Sequence, residues 1–598
     1  MGTPKIFDVA ILSMIALLAA TLACVDIREL WDSTQSGKFI VFSYAGTILL
    51  ILISLRAVVV RRPVVRLNAV DVLLLVLLGA TLLNRMVKGE SYSRNLYELP
   101  GLVLVYVAVR QLKERTWFVL FAGIIAGGVI QGVYGLLQFY GYVSSGASAF
   151  GICGGFFNPG PYAGYLASVF PVLLGCYLRK NKAFLMGGMA VLLLALAAAL
   201  SRAAWLAVVV STLFLLSCKY DIRDMFKRVF DSKLKVRVSV VVAVVLLVVA
   251  GYFLYSFKQG SADGRLLVWK ITLRMVADNP VSGVGPDRFV ARYMDYQEAY
   301  FQQGDPRRPG LAAEALHADN IYYAFNDPLQ FVAENGLIGL VLLAGIVWAL
   351  LRIRMRMSPW FVIAAAGLLS VGVFSFFSYP MEILPIKLDL VIFLAVLSCG
   401  GGDLKRIELP AAGRVVRIGV VAGLMLAGFG ISREIRVIYD GYYDWESAMS
   451  LYQENFFDES VGFYRRAYPV FRENGDFLMH YGKALSMERS DREALDKLHE
   501  ARRYLNTSII QTAMGDSYRS LKRYDSAEAA YQHAVFMLPD RLYPKYLLAK
   551  LYAESGQQEK AVAAAREILR LRSRTSSEAT DEIDREMQQL LNQYRVPR

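Results

Sequence analysis

Histidine and cysteine are both scarce in this chain, with four of the first and five of the second among 598 residues. The cysteines, Cys24, Cys153, Cys176, Cys218 and Cys399, are scattered without paired spacing. That pattern indicates neither a disulfide framework nor a thiolate metal site; Cys24 and Cys153 alone fall in stretches able to face the same side and pair. No His/Cys/carboxylate spacing reads as a metal site either, so no metal and no cofactor is expected. Three of the histidines lie in the C-terminal part, which leaves His317 alone in the rest of the chain.

What the chain has in quantity is apolar sequence, at 56% of residues and a mean hydropathy of +0.39. An α-helix needs about 18 to 20 apolar residues to cross about 30 Å of hydrocarbon while satisfying its own backbone. Such runs recur at 9–24, 39–56, 70–84, 96–110, 117–139, 162–178, 183–200, 203–217, 236–254, 329–351, 359–379, 384–399 and 413–431. The fold class expected is all-α, a polytopic bundle of about 12 to 13 transmembrane helices. The first run ends in Thr-Leu-Ala-Cys24 like a lipoprotein signal. Thr21 stands where such a signal has Leu and Asp8 interrupts the basic leader, so it reads as a retained helix.

Lys and Arg fix the expected orientation. With the N-terminus inside, the inner connections and span ends carry 24 basic residues against 7 for the short outer ones. Much of the formal charge of +14 is thus a topology signal and not a nucleic-acid footprint. The polar segment 255–330 and the C-terminus both fall outside. After Ile431 the composition turns to Tyr-, Ala-, Glu- and Arg-rich helix with an internal repeat. In its clearest copy Gly515, Tyr518, Ala527, Tyr531, Ala534 and Pro539 fit a 34-residue unit that resembles the tetratricopeptide repeat. Four units cover about 442–572, with a capping helix expected beyond Ser573. The division expected is 1–431 for the membrane domain and 432–598 for the repeats.

Three groups of residues bear on chemistry. Arg202 interrupts an apolar run from Ala183 to Leu216, where a charge at the bilayer centre costs at least ~2.5 kcal/mol and is held for a cavity or partner. In the 255–330 segment, Arg265 opens an amphipathic helix with Ile271, Met275 and Val276 on its apolar side. A Gly/Pro turn from Asn279 to Arg288 follows, suited to close backbone approach. Arginine forks bind phosphate oxygens bidentately and would stabilise negative charge on a diphosphate leaving group. His317 can take a proton from a hydroxyl near neutral pH, and Glu314, Asp319 and Asp327 are alternative bases.

The motifs Ser201-Arg-Ala-Ala-Trp-Leu206, Gly264-Arg265 with Trp269, Pro280-x-x-Gly-x-Gly-Pro-x-x-Phe289 and Asn326-x-x-Leu329-x-x-x-x-Glu334-Asn-Gly336-x-x-Gly339 resemble the bacterial O-antigen ligase family over roughly 10–431. The Phe157-Asn158-Pro-Gly-Pro-Tyr162 stretch fits the same pattern. The resemblance implies a C-type glycosyltransferase fold and metal-independent, inverting transfer of a glycan from undecaprenyl diphosphate to an acceptor hydroxyl, on the periplasmic side of the bacterial inner membrane. Arg202 and Arg265 then match the arginines that hold the lipid diphosphate, with Arg288 a third, and Asn158, Tyr162 and Asn326 join the substrate-binding set. The family's histidine usually precedes Asn326, but Phe325 stands there. The base is then His317 from a shifted loop or a carboxylate such as Asp327 or Asp319, or base catalysis matters little. Expected acceptors are lipid A core, a protein, or another lipid-linked glycan in a polymerase. The repeats are read either as a platform for a peptide or protein partner or as a brace for the loop. A non-catalytic membrane-anchored scaffold is the alternative from another class.

Overall fold

The computed structural model describes residues 3–59, 64–89, 93–146, 150–220, 255–256, 259–304, 310–353, 358–408, 413–571 and 577–594. The chain is all-α as expected. The membrane part contains α1 (Thr3–Thr21), α2 (Ser33–Val59), α3 (Ala69–Lys88), α4 (Arg94–Gln111), α5 (Trp117–Phe139), α6 (Pro159–Lys180), α7 (Ala183–Ala198) and α8 (Arg202–Lys219). A polar helical segment follows, with α9 (Gln259–Asp278), α10 (Phe289–Gln302) and the short α11 (Leu311–Ala315). Then come α12 (Asp327–Leu351), α13 (Pro359–Ser375), α14 (Leu384–Ser398) and the long α15 (Arg414–Gln453).

Among the described residues, eight helices are long and apolar enough to cross a membrane, while α7 and α13 are apolar but shorter. Twelve of the thirteen expected spans coincide with helices; the run at 236–254 lies outside the described residues. One small element was not anticipated: β1 (Val64–Leu67) pairs antiparallel with β2 (Lys405–Glu408), joining two connections at one end of the bundle. At that end Asp71 takes bonds from Arg110 at 2.7 Å and Tyr106 at 2.6 Å. All five cysteines are free thiols, so Cys24 and Cys153 are not bridged.

Lipid tails are as apolar as leucine, so helices in a membrane gain by close fit, which small residues permit. The glycines of α5 do this: a Cβ at Gly123 would lie 2.4 Å from the Ala16 carbonyl oxygen, and one at Gly135 would lie 2.0 Å from the Tyr162 hydroxyl. α5 therefore lies directly against α1 and α6.

The repeats form helical hairpins. The C-terminal part of α15 pairs with α16 (Phe457–Phe471), α17 (Gly475–Met487) with α18 (Asp491–Tyr504), α19 (Ser508–Ser520) with α20 (Tyr524–Met537), and α21 (Leu542–Glu554) with α22 (Gln558–Arg570). α23 (Glu578–Gln593) caps the last. Ala448, Ala467, Ala494, Ala501, Ala527, Ala534, Ala549 and Ala561 are all buried between helices. The Tyr531 ring sits where a side chain on Gly515 would be, 2.3 Å from an added Cβ. α15 runs unbroken from apolar membrane sequence into the first hairpin, so the array is tied to the bundle by a continuous helix.

The array also lies directly on the membrane part. Trp31, between α1 and α2, donates its N–H to the Tyr442 carbonyl at 3.2 Å and stacks on Trp445 at 5.1 Å. Gln297 on α10 reaches the Met537 carbonyl at 2.8 Å, and Asn506 reaches Asp295 at 2.7 Å.

Candidate functional site

Two of the recognised motifs are partners in space. α12 breaks at Gly336, whose φ of +63° and ψ of −159° lie outside the helical region. The carbonyls and N–H groups freed by that break are taken by the Pro280–Gly285 turn. Val284 and Gly285 donate to Ala333 and Glu334 at 2.9 and 3.0 Å, and Leu337 donates to Pro280 at 2.8 Å. Backbone meets backbone here, so neither glycine has room for a side chain. A Cβ on Gly283 (φ +66°) would lie 2.3 Å from the Glu334 carbonyl carbon, and one on Gly336 would lie 2.3 Å from the Val281 oxygen. The Glu334 carboxylate turns back to accept from the N–H groups of Asp287 and Phe289 at 3.2 and 3.3 Å, capping α10. The Gly-x-Gly turn thus spends its N–H groups on the Asn279 carbonyl and on α12 and does not offer them as a phosphate cradle.

That lock aims α9 back across the bundle. Trp269 donates to the Ala324 carbonyl at 3.0 Å and lies 6.3 Å from the Phe377 ring, fixing the 323–326 segment. Arg265 donates to the Phe377 carbonyl at 2.6 Å, and its guanidinium lies 5.3 Å from the centre of the Phe325 ring. Burial lowers the affinity of Arg265 for its proton, and the positive charge of Arg202 lowers it further. The two arginines therefore share one electrostatic environment although 62 residues and at least one span separate them in sequence. Arg202 is held there by its motif: Ala203 and Ala204 are buried, and Trp205 donates to the Leu196 carbonyl at 2.9 Å, drawing α8 against the end of α7. Phe325 and Tyr379 meet edge to face at 5.5 Å, and Tyr323 stacks on Tyr379 at 4.4 Å. Burial pushes the Tyr379 hydroxyl up to about 12, with Arg265 acting against the shift.

The remaining candidate residues are placed as follows. Asn326 is the N-cap of α12 and accepts from Leu329 at 3.0 Å. Asp327 accepts from the Met381 N–H at 2.9 Å, so it anchors the segment that carries Tyr379. Arg288 donates to the Lys88 carbonyl at the end of α3. Asn158 caps α6 by accepting from Gly160 at 2.8 Å. Tyr162 is fully buried, and its hydroxyl donates to the Gln131 carbonyl at 3.1 Å. His317 rests against Gly260 and Gly264 of α9, with Nε2 3.9 Å from Asp263 Oδ2.

A second polar group escaped the sequence reading. Arg94, Glu98, Gln35, Lys38 and Glu382 line a small pocket of about 20 Å³ beside Phe156 and Phe157. Lys387 pairs with Glu98 and donates to Asn95 at 2.7 Å. Charges such as Glu98 and Lys387 at the ends of apolar runs were the available signal, because an ion there needs a partner.

These features define a multi-pass membrane protein, with a polar helical segment folded over the bundle and a repeat array seated on it. The comparisons agree. Residues 187–344 match the O-antigen ligase family model, and residues 510–535 and 544–575 match a tetratricopeptide repeat model. The chain thus carries one segment similar to an O-antigen ligase domain and, after it, segments similar to tetratricopeptide repeats, which indicates a glycosyltransferase-like enzyme. No curated protein matches it. Solved structures similar to it include yeast Tom70, at 11% identity over 87% of this chain and 96% of that chain with a TM-score of 0.23. The Cut9–Hcn1 hetero-tetramer of the APC/C is another, at 13% identity over 85% and 98% with a TM-score of 0.20.

Proposed function

We propose that the chain transfers a preassembled glycan from undecaprenyl diphosphate to an acceptor hydroxyl at the periplasmic face of the bacterial inner membrane. Residues 1–431 form the transferase and 432–598 the periplasmic repeat domain. The pairing of Arg202 with Arg265 carries this reading. Each guanidinium offers a planar fork of donors that stays charged, and a diphosphate matches two such forks. The acceptor oxygen attacks the anomeric carbon on the face opposite the diphosphate, with inversion. The bond to the diphosphate breaks, and the arginines take up the negative charge of the leaving lipid. Fixed guanidinium groups supply the positive charge, so the reaction needs no divalent metal.

The acceptor is lipid A core or a protein. A surface-glycan polymerase would keep the donor site and change the acceptor. The test is release of lipid diphosphate by the purified full-length protein in vesicles. Arg202→Ala and Arg265→Ala are each expected to lower transfer by about 10²-fold or more, on the scale of losing one oxyanion donor. Addition of a chelator is expected to leave the rate unchanged. Full transfer by both properly inserted variants would remove the arginines from the mechanism and favour a scaffold.

A further inference from the structure

We propose that Asp263 is the positioning residue for His317, and that this pair serves as the proton acceptor in place of the histidine missing at Phe325. The inference rests on the transferase reading above. His317 packs on one face of α9: its ring Cε1 lies 3.7 Å from the Cβ position of Gly260, and its Cβ and carbonyl oxygen lie 4.0 Å from that of Gly264, one turn on. Asp263 is on the same turn. Its Oδ1 accepts from the Tyr255 hydroxyl at 2.7 Å, which leaves Oδ2 facing His317 Nε2 at 3.9 Å. That separation closes to a hydrogen bond with a small ring shift, as unliganded catalytic pairs commonly do. Arg265 follows Gly264 directly, so donor and base are carried by neighbouring faces of one helical turn.

The other carboxylates of the segment are engaged. Glu314 is bound by Lys270 at 2.6 Å and by Tyr300. Asp319 pairs with Arg541 at 3.5 Å. Asp327 accepts from the Met381 N–H. Among the described residues, His317 Nδ1 has no hydrogen-bond partner, which suits it to receive a proton. With Nε2–H held by Asp263, Nδ1 takes the proton of the acceptor hydroxyl. The oxygen forms its bond to the anomeric carbon, and the bond between that carbon and the diphosphate oxygen breaks. Its electron pair leaves with the lipid diphosphate. Phe325, at φ +52°, remains as the ring beneath Arg265.

Initial rates of the full-length protein in vesicles, measured against donor concentration, test this. His317→Ala is expected to lower kcat by about 10² to 10⁴, the usual contribution of general-base catalysis, with donor KM within about twofold. Added imidazole is expected to restore part of that loss. Asp263→Asn is expected to lower kcat about tenfold or more without raising KM, and Asp263→Glu to recover most of it. Combining Asp263→Asn with His317→Ala is expected to cost no more than His317→Ala alone and to abolish the imidazole rescue, because residues that act as a unit are non-additive. Unchanged kcat in His317→Ala, multiplicative losses, or a loss in Asp263→Asn confined to KM would each overturn the pair. Arg265→Ala is the control arm: if it also transfers at the wild-type rate, the transferase reading itself fails, and not merely the assignment of the base.

Discussion

Gly283 and Gly336 illustrate how two short motifs act through a single contact. Both have positive φ, and each lies against the backbone of the other's motif, Gly283 on Ala333 and Glu334 and Gly336 on Val281 and Ser282, where a side chain has no room. Gly283→Ala or Gly336→Ala is therefore expected to destabilise the protein by about 1 to 3 kcal/mol, the range for a forced left-handed non-glycine conformation. The check is thermal unfolding of the purified protein in detergent, with Gly345→Ala as a control whose Cβ meets its nearest atom at 3.6 Å. Arg265 makes a contrasting residue-scale prediction, because it holds a carbonyl at 2.6 Å and lies over a ring without being needed for the lock. Arg265→Lys keeps the charge and loses the fork, so donor KM is expected to rise while the unfolding temperature stays the same.

At the scale of elements, the broken helix α12 organises the site, and the carboxylate of Glu334 is its connection to α10. Glu334→Ala leaves the N–H groups of Asp287 and Phe289 buried without an acceptor, at a cost of about 1 to 3 kcal/mol. Hydrogen exchange at the start of α10 is expected to rise in that variant, while exchange in α5 and α6 is unchanged. The spans and hairpins were legible in the sequence because hydropathy and the spacing of small residues report directly on burial along one helix. The Ser201–Leu206, Gly264-Arg265 and Glu334-Asn-Gly336 motifs were legible too, as short strings. What could not be read was which string meets which. Gly283 and Gly336 are 53 residues apart, and nothing in local periodicity links a turn to the kink that receives it. The same holds for Tyr162, whose hydroxyl donates to the Gln131 carbonyl 31 residues away, a contact that its own motif does not announce. Arg94 was overlooked because it was counted only as an orientation signal.

At the scale of the molecule, the repeat array joins a membrane loop and the polar helical segment, and each junction makes its own prediction. His480 lies edge-on to Trp31 at 5.2 Å, with its Nδ1 buried and unbonded. Burial pushes its pKa down from 6.5 to about 4, and Lys483 adds to the shift. A group depressed in the folded state contributes stability that is present above about 6.5 and lost progressively as pH falls toward 4. Acidification is thus expected to loosen this junction by on the order of 2 kcal/mol. In His480→Phe the unfolding temperature should depend less on pH between those limits.

The second junction decides what the repeats are for. Successive repeats meet the polar segment: Tyr322 donates to Asp476 at 2.9 Å, Asn320 exchanges bonds with Ser508 at 3.1 and 2.9 Å, and Asp319 pairs with Arg541 at 3.5 Å. Together with Gln297 and Asp295 on α10, these contacts fix both sides of the chain that carries His317. A segment positioned this way loses its geometry when the array is removed, and a shift of about 1 Å in a reacting group can cost 10²-fold. Truncation after Gln453 keeps α15 whole and is expected to abolish transfer although the membrane domain still inserts. Asp476→Ala with Asn506→Ala leaves the array in place and cuts two of its holds, so kcat is expected to fall about tenfold with donor KM little changed. A purely peptide-recruiting array predicts otherwise: both changes would spare transfer to a soluble small acceptor and affect only a protein acceptor. Running the two acceptors side by side therefore separates a brace from a recruiting platform.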